Sequence, residues 1–330
     1  MRIVLKVYLV ISFVLISVLC LAQPKFSEIS SLPGSFSRMG FGAKGISMGN
    51  SIGAVIDGNL STYYNPALSA FQETNYLQVG YSFLSLDRTL NYLSFTRNFR
   101  FSSKDNKVRA AGISAGILNA GVSKIDARDN QGNKTGDLST SENQFYIALA
   151  NRFSEKFAIG INLKLYYYHL YEKVNSTTFG FDIGALYVFN SNFTAAVVIT
   201  DINSKYKWDT TELYGQDGNN EESKFPLLKK IAVAYNFLEP KILVSAEIEN
   251  SNANSNILRF GADYCIYPGF NLRAGIDKIN LTNSEMPARP SFGFSYTYTF
   301  ENWIIGLDYA YAYEPYSINN SHIICLNFNL

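Results

Sequence analysis

Gly40-Phe41-Gly42-Ala43-Lys44-Gly45 spells G-x-G-x-x-G. In a dinucleotide-binding protein that spacing lets the backbone wrap a pyrophosphate at a helix N-terminus. The motif does this only between a strand and a helix of a βαβ unit. Here SSLPGSFSRM precedes it and no second α/β unit follows, so no nucleotide cofactor is expected. The two histidines, His169 and His322, lie far apart with no Cys, Asp or Glu at ligand spacing, so no metal site is expected. G-x-S-x-G is absent, and with it the nucleophile elbow of a hydrolase. No catalytic constellation emerges, and the chain reads as a non-enzyme.

The remaining chemically active residues are charges that recur on one parity of alternating segments. Lys164, Asp182, Lys230, Glu247, Glu249, Arg259, Asp263, Arg273, Asp277 and Asp308 all share the side that carries small and polar residues. Neighbouring segments bring opposite signs within reach: Lys164 with Asp182, Glu247 with Arg259, Asp263 with Arg273. In a narrow, partly dry interior such groups satisfy one another. They are read as structural ion pairs in preference to the lining of a polar passage.

What positions them is a set of β-strands. From residue 74 the pattern has a period of two. In 289–300, Phe292, Phe294, Tyr296, Tyr298 and Phe300 share one face, and Ser291, Gly293, Ser295, Thr297 and Thr299 the other. About fourteen such segments follow one another, each near the roughly 9–11 residues that a tilted strand needs to cross a bilayer. They are expected at 74–84, 89–99, 108–119, 142–153, 156–170, 176–189, 192–202, 227–237, 241–250, 256–266, 269–279, 289–300, 302–313 and 321–330. Connections after even strands are mostly tight turns. The longest ones, 120–141 and 203–226, follow odd strands. Short turns at one end and long loops at the other are the signature of an up-and-down membrane barrel, and a sandwich would not sort loops by parity. The expected fold is therefore all-β: a 14-stranded antiparallel up-and-down transmembrane β-barrel, aromatic face to lipid, polar face to the lumen. The last strand, amphipathic and ending in Phe328 and Leu330, resembles the assembly signal of outer-membrane barrels.

Composition agrees. Aromatics are 15% of 330 residues and charged residues 17%, against roughly 25% charged in soluble domains. Residues 1–22 read as a secretory signal peptide: Arg2 and Lys6 precede an apolar core, and Cys20-Leu21-Ala22 offers a cleavage site. Its removal lowers the 28 basic groups by two, to 26 against 27 acidic ones, so nothing favours nucleic acid. Cys265 and Cys325 remain, too few for a disulfide scaffold.

Between signal peptide and barrel, residues 23–73 are glycine-rich and nearly uncharged from Gly40 to Leu68. Gly45, Gly49 and Gly53 recur every four residues and on a helix would form one bare stripe. Asn65-Pro66 forces an extended or turn conformation. So short a segment must pack inside something, and residues 74–330 look like the container. FSRMGFGAKGISMGNS (36–51), then Asp57, then YYNPAL (63–68), running straight into alternating strands, resembles the PorV/PorQ family of the FadL-like group of outer-membrane barrels. Asp57-Gly58 stands where that family often has an acidic pair, and Asn65-Pro66-Ala67-Leu68-Ser69 where it often has N-P-A-G-L.

The resemblance implies an N-terminal plug in the lumen, built on Gly40, Gly42, Gly45, Gly49, Gly53, Asp57, Asn65 and Pro66, with Asp57 and Asn65 bonding inside the barrel or capping plug backbone. It implies a non-enzymatic component of a type IX secretion apparatus in the bacterial outer membrane, binding exported cargo or anchoring partner proteins. The outer loops would be the contact surfaces, with Asp126, Arg128 and Asp129 in one and Asp217, Glu221 and Glu222 in the other. The alternative within the same group is a FadL-like channel for hydrophobic small molecules such as long-chain fatty acids. That reading requires an apolar pocket above the plug and a lateral opening in the wall.

Overall fold

A computed structural model describes residues 28–56, 62–101, 109–300 and 303–329. The expected signal peptide and Asp57 lie outside the described residues. The strands are β1 (Tyr76–Phe83), β2 (Arg88–Phe101), β3 (Arg109–Arg128), β4 (Lys134–Arg152), β5 (Phe157–Tyr171), β6 (Val174–Val188), β7 (Phe193–Ile202), β8 (Lys205–Asp209), β9 (Asn220–Lys224), β10 (Leu228–Phe237), β11 (Ile242–Ser251), β12 (Ser255–Tyr267), β13 (Phe270–Asn280), β14 (Arg289–Phe300), β15 (Trp303–Ala312) and β16 (Ser321–Asn329). Fourteen of them, β1–β7 and β10–β16, form a closed antiparallel barrel in which β1 pairs with both β2 and β16. Closure leaves no free edge in the wall, as a bilayer core requires.

Alternation explains the burial. Val79, Tyr81 and Phe83 of β1 are exposed, whereas Gln78 and Ser82 are buried. The outward face is mainly apolar. Around the short-turn end it forms a belt of exposed rings: Phe99, Phe101, Phe153, Tyr187, Phe189, Tyr235, Phe237, Tyr267, Phe300 and Trp303. Such belts sit at the boundary between hydrocarbon and headgroups.

Two loops differ from expectation. Residues 120–141 are mostly not loop: β3 and β4 run on as a two-stranded ribbon past their neighbours. Beyond Val122 the ribbon strand β3 has no pairing to β2, and beyond Ser141 β4 has none to β5. The charged residues there hid a strand pattern in Val122, Ile125, Leu138 and Thr140. A bulge at Lys124, φ 57°, shifts the phase between Val122 and Ile125. The turn closes on Asp129, whose Oδ1 accepts from the N–H groups of Gln131 (2.9 Å) and Asn133 (2.8 Å). Residues 203–226 contain the hairpin β8–β9.

The N-terminal segment, in its described residues 28–56 and 62–72, packs against the inward face of the wall from Gly34 onward. It comprises two short α-helices, α1 (Glu28–Ser31) and α2 (Ala43–Ser47), and two 3-10 turns, Ser35–Arg38 and Pro66–Phe71. Met48, Ile52, Val55 and Leu68 are almost wholly enclosed, and each stabilises by about 1.5–3 kcal/mol relative to exposure. The expected glycine stripe does not form, because α2 ends at Ser47. Gly49 follows in the left-handed region at φ 60° and turns the chain away.

Candidate functional site

Four of the five sequence-predicted glycines of the segment each meet a different neighbour, and Gly42 faces open space. Gly42 precedes α2, and Gly40 faces the Asn50 side chain. A Cβ on Gly45 would fall 2.1 Å from the Tyr64 hydroxyl, and one on Gly53 2.8 Å from Glu247 Oε2. At Gly49 a Cβ would stand 2.6 Å from the Phe260 carbonyl oxygen and 2.7 Å from the Ile276 nitrogen, so here segment backbone lies directly on wall backbone. Asn65 caps the second 3-10 turn: its Oδ1 accepts from Ala67 N–H at 3.0 Å, its amide donates to the Gly53 carbonyl at 2.9 Å, and Pro66 fills the first position. Asn50 and Tyr64 carry more than their sequence suggested. Asn50 donates to Asp277 Oδ2 (2.9 Å), and its Oδ1 accepts from the Tyr64 hydroxyl (2.6 Å). Burial pushes the Tyr64 phenol up, which keeps it a donor.

The lumen charges gather into three clusters. Lys164 Nζ lies 2.7 Å from Asp182 and 3.0 Å from Asp201, and Asp201 also accepts from the Tyr166 hydroxyl at 2.7 Å. Arg259 reaches Glu247 (3.2 Å), Glu249 (3.2 Å) and Asp277 (2.7 Å), with Lys230 3.5 Å from Glu249. Arg273 holds Asp263 (2.9 Å) and Asp308 (3.2 Å), and Lys44 of the segment stands 4.0 Å from Asp263. Sequence reasoning missed Asp201, because strict alternation points it outward. A bulge in β7, where Asp201 has φ 61°, turns it into the bore.

These clusters occupy one contiguous arc of wall, from β5 through β15. The remaining inner wall, β16 and β1–β4, is uncharged through its middle, where Gln78, Tyr92, Ser94, Thr96, Ser114, Gln144, Tyr146 and Asn327 are buried; its inward charges stand toward its two ends, Glu142 under Tyr206 and Arg152 over the Phe71 ring of the segment. The segment is tied to the charged arc through Asn50 and Lys44. Against the neutral arc it relies on the Thr62–Ser114 bond (2.8 Å), the Asn98–Ser69 bond (3.2 Å), the Ala43 N–H at Cys325 Sγ (3.1 Å) and the Phe41–Tyr92 ring contact.

Two openings lead toward this packed zone. At the long-loop mouth, Met39, Ile46, Leu84, Leu90 and Ile323 meet Asn50, Asp277, Arg289 and Glu314 around about 20 Å³ of space, enough for one water molecule. At the short-turn end a vestibule of about 460 Å³ reaches Lys44, Asp263, Arg273 and Asp308. Above the mouth, β8–β9 folds inward. Tyr206 and Phe225 are buried against Tyr166 (6.5 and 4.9 Å between ring centres), and Tyr206 donates to Glu142 at 2.8 Å. The base of the 203–226 loop is therefore a lid, and only its outer part, with Asp217 and Glu221, is free. In the ribbon, Asp126 pairs with Arg128 and Lys134 (both 2.9 Å), next to Asp129 in the turn. Glu222 pairs with Lys205 at 2.8 Å. No lateral gap appears between the paired strands of the barrel wall among the described residues. No group of metal-ligating side chains occurs among the described residues either.

No family model and no curated protein matches the chain. Solved structures do. The Pseudomonas putida toluene transporter TodX is 14% identical, with TM-score 0.56 over 88% of this chain and 96% of its own. The Ralstonia pickettii toluene transporter TbuX is 13% identical, with TM-score 0.59 over 88% and 98%. A Pseudomonas aeruginosa FadL homologue is 12% identical, with TM-score 0.58 over 87% and 97%. The likeness is one of fold: the chain is a closed 14-stranded antiparallel barrel, similar in fold to these proteins.

Proposed function

We propose that the protein is an outer-membrane channel for hydrophobic small molecules, held shut by its N-terminal segment. The observation that carries this reading is the unequal seating of that segment, tied by charge to β5–β15 and laid on a wall at β16 and β1–β4 whose middle is uncharged. A solute with few polar groups loses little on meeting the neutral middle of that arc. An ion there, between Glu142 toward one end and Arg152 toward the other, finds no adjacent countercharge in the wall, and burying one unpaired is costly. The lateral opening expected of such a channel is absent among the described residues, so the route runs lengthwise, from the mouth at Met39, Leu84, Leu90 and Ile323, along the neutral middle of the arc, to the short-turn end. The full-length likeness to channels named as toluene transporters supports the same reading. The mouth has room for about one water molecule, so passage requires the segment to move.

The test is uptake of radiolabelled toluene and of a long-chain fatty acid by cells with and without the gene, with succinate as control. Faster uptake of a hydrophobic solute with succinate unchanged is expected. Equal uptake of both hydrophobic solutes in the two strains would reject the channel.

The resemblance to PorV/PorQ keeps a second reading, favoured by one feature: the stiff, charged β3–β4 ribbon standing clear of the barrel. In this reading the ribbon docks exported proteins or secretion partners. Trimming residues 123–139 to a short turn should then deplete surface-displayed proteins while leaving solute uptake intact. An unaltered surface proteome would dismiss it.

A further inference from the structure

The lipid-facing wall carries a dent. Across β2–β5 one outward row reads Arg97, Ile113, Leu149, Ile161, and the next reads Phe99, Ala111, Asn151, Ile159. The second row places a one-carbon side chain and an amide between large ones. The wall is thin behind it, since Gly112 and Gly160 rest on segment backbone at Ser69 and Pro66. The result is an apolar hollow of about 390 Å³ at the level of the aromatic belt, with Phe99 and Phe153 on its rim.

Two polar groups stand at this hollow although they face hydrocarbon. Asn151 is exposed there, and its side-chain amide bonds to no described residue. Arg97 is exposed beside it, on an outward position of β2, with its guanidinium 4.9 Å from the centre of the Phe99 ring. A cation facing lipid is unfavourable unless it reaches the interface. Lying over Phe99, Arg97 reaches toward the belt and so toward the headgroups. The segment's own ion pairs are on the other side of the wall and do not serve it.

We infer that this hollow is a binding site for one glycerophospholipid of the leaflet at the short-turn end. An acyl chain fills the space over Ala111 between Ile113, Leu149, Ile159 and Ile161. The phosphate pairs with Arg97, and the Asn151 amide donates to a glycerol ester carbonyl. Arginine suits phosphate through its paired N–H donors. The occupant is lipid because only the bilayer presents both acyl chain and phosphate to this face.

The experiment is native mass spectrometry of the full chain, released from nanodiscs of phosphatidylethanolamine and phosphatidylglycerol. The wild type is expected to retain one phospholipid. Arg97→Gln should lower its occupancy by roughly tenfold, the size of one lost charge-assisted hydrogen bond. Ala111→Phe, which fills the hollow without touching charge, should lower it comparably. Heat-modified gel mobility verifies that each variant has folded. Retention in both variants overturns the site. Retention in Ala111→Phe alone overturns the acyl-chain assignment, and retention in Arg97→Gln alone overturns the phosphate contact.

Discussion

Arg259→Met asks whether the bore charges hold the segment in place. Arg259 is 6% exposed, and its guanidinium bridges three carboxylates, with Asp277 at 2.7 Å and Glu247 and Glu249 at 3.2 Å. Methionine keeps much of the apolar stem and removes the charge. The three carboxylates then share Lys230, 3.5 Å from Glu249. At an effective dielectric near 20, one such pair at about 3 Å is worth about 5 kcal/mol of attraction, most of it offset by desolvation. What remains uncompensated after the substitution is the buried negative charge, and losing one partner of a buried pair costs about 3–5 kcal/mol. Because Asp277 is also the acceptor for Asn50, the segment should loosen with it. Urea unfolding in lipid vesicles measures the first effect, and vesicle swelling in a neutral solute the second. Adding Glu249→Gln removes one stranded charge, so the double variant should be more stable than Arg259→Met alone. An unchanged unfolding midpoint in the single variant, or a double variant less stable still, would refute the reasoning.

Gly49→Ala places a side chain in the left-handed region, at about 1–2 kcal/mol, against the Phe260 carbonyl oxygen 2.6 Å away. The segment must back away from β12–β13, and permeation of a neutral solute should rise while the barrel still shows heat-modified mobility; unaltered permeation would mean that this contact is no seal. Asn65→Ala removes both the cap and the bond to Gly53, a loss of about 1–3 kcal/mol that should appear as faster proteolysis of residues 28–72. Lys134→Gln breaks exposed pairs to Asp126 and Asp137 at the ribbon, and solvent screening predicts an unfolding midpoint indistinguishable from wild type. A clear drop would show that ribbon and barrel unfold together.

The wall was legible because a membrane strand is a local object. Phe292, Phe294 and Tyr296 against Ser291, Gly293 and Ser295 state by parity alone which side meets hydrocarbon. The same parity placed Lys164, Glu247, Arg259 and Arg273 inside and paired the nearest strands. Where backbone geometry broke the period, local reading failed. Asp201 was missed because a bulge adds a residue to β7, and the ribbon was taken for loop because Lys124 resets its phase. The segment 28–72 was least legible. Its spacing of glycines suggested one helical face, whereas each glycine answers to a separate contact with side chains or backbone from elsewhere in the chain.

Alternation along single strands was thus enough to specify a closed, fourteen-stranded wall with a polar bore, since each choice depends on neighbours two residues away. The seating of the segment, the split between charged and neutral arcs, the inward lid of β8–β9 and the hollow beside Arg97 arise from which strands become neighbours around the ring. The seating of the segment joins residues more than two hundred positions apart, as Asn50 joins Asp277, and no local pattern records contacts that exist only once the barrel has closed.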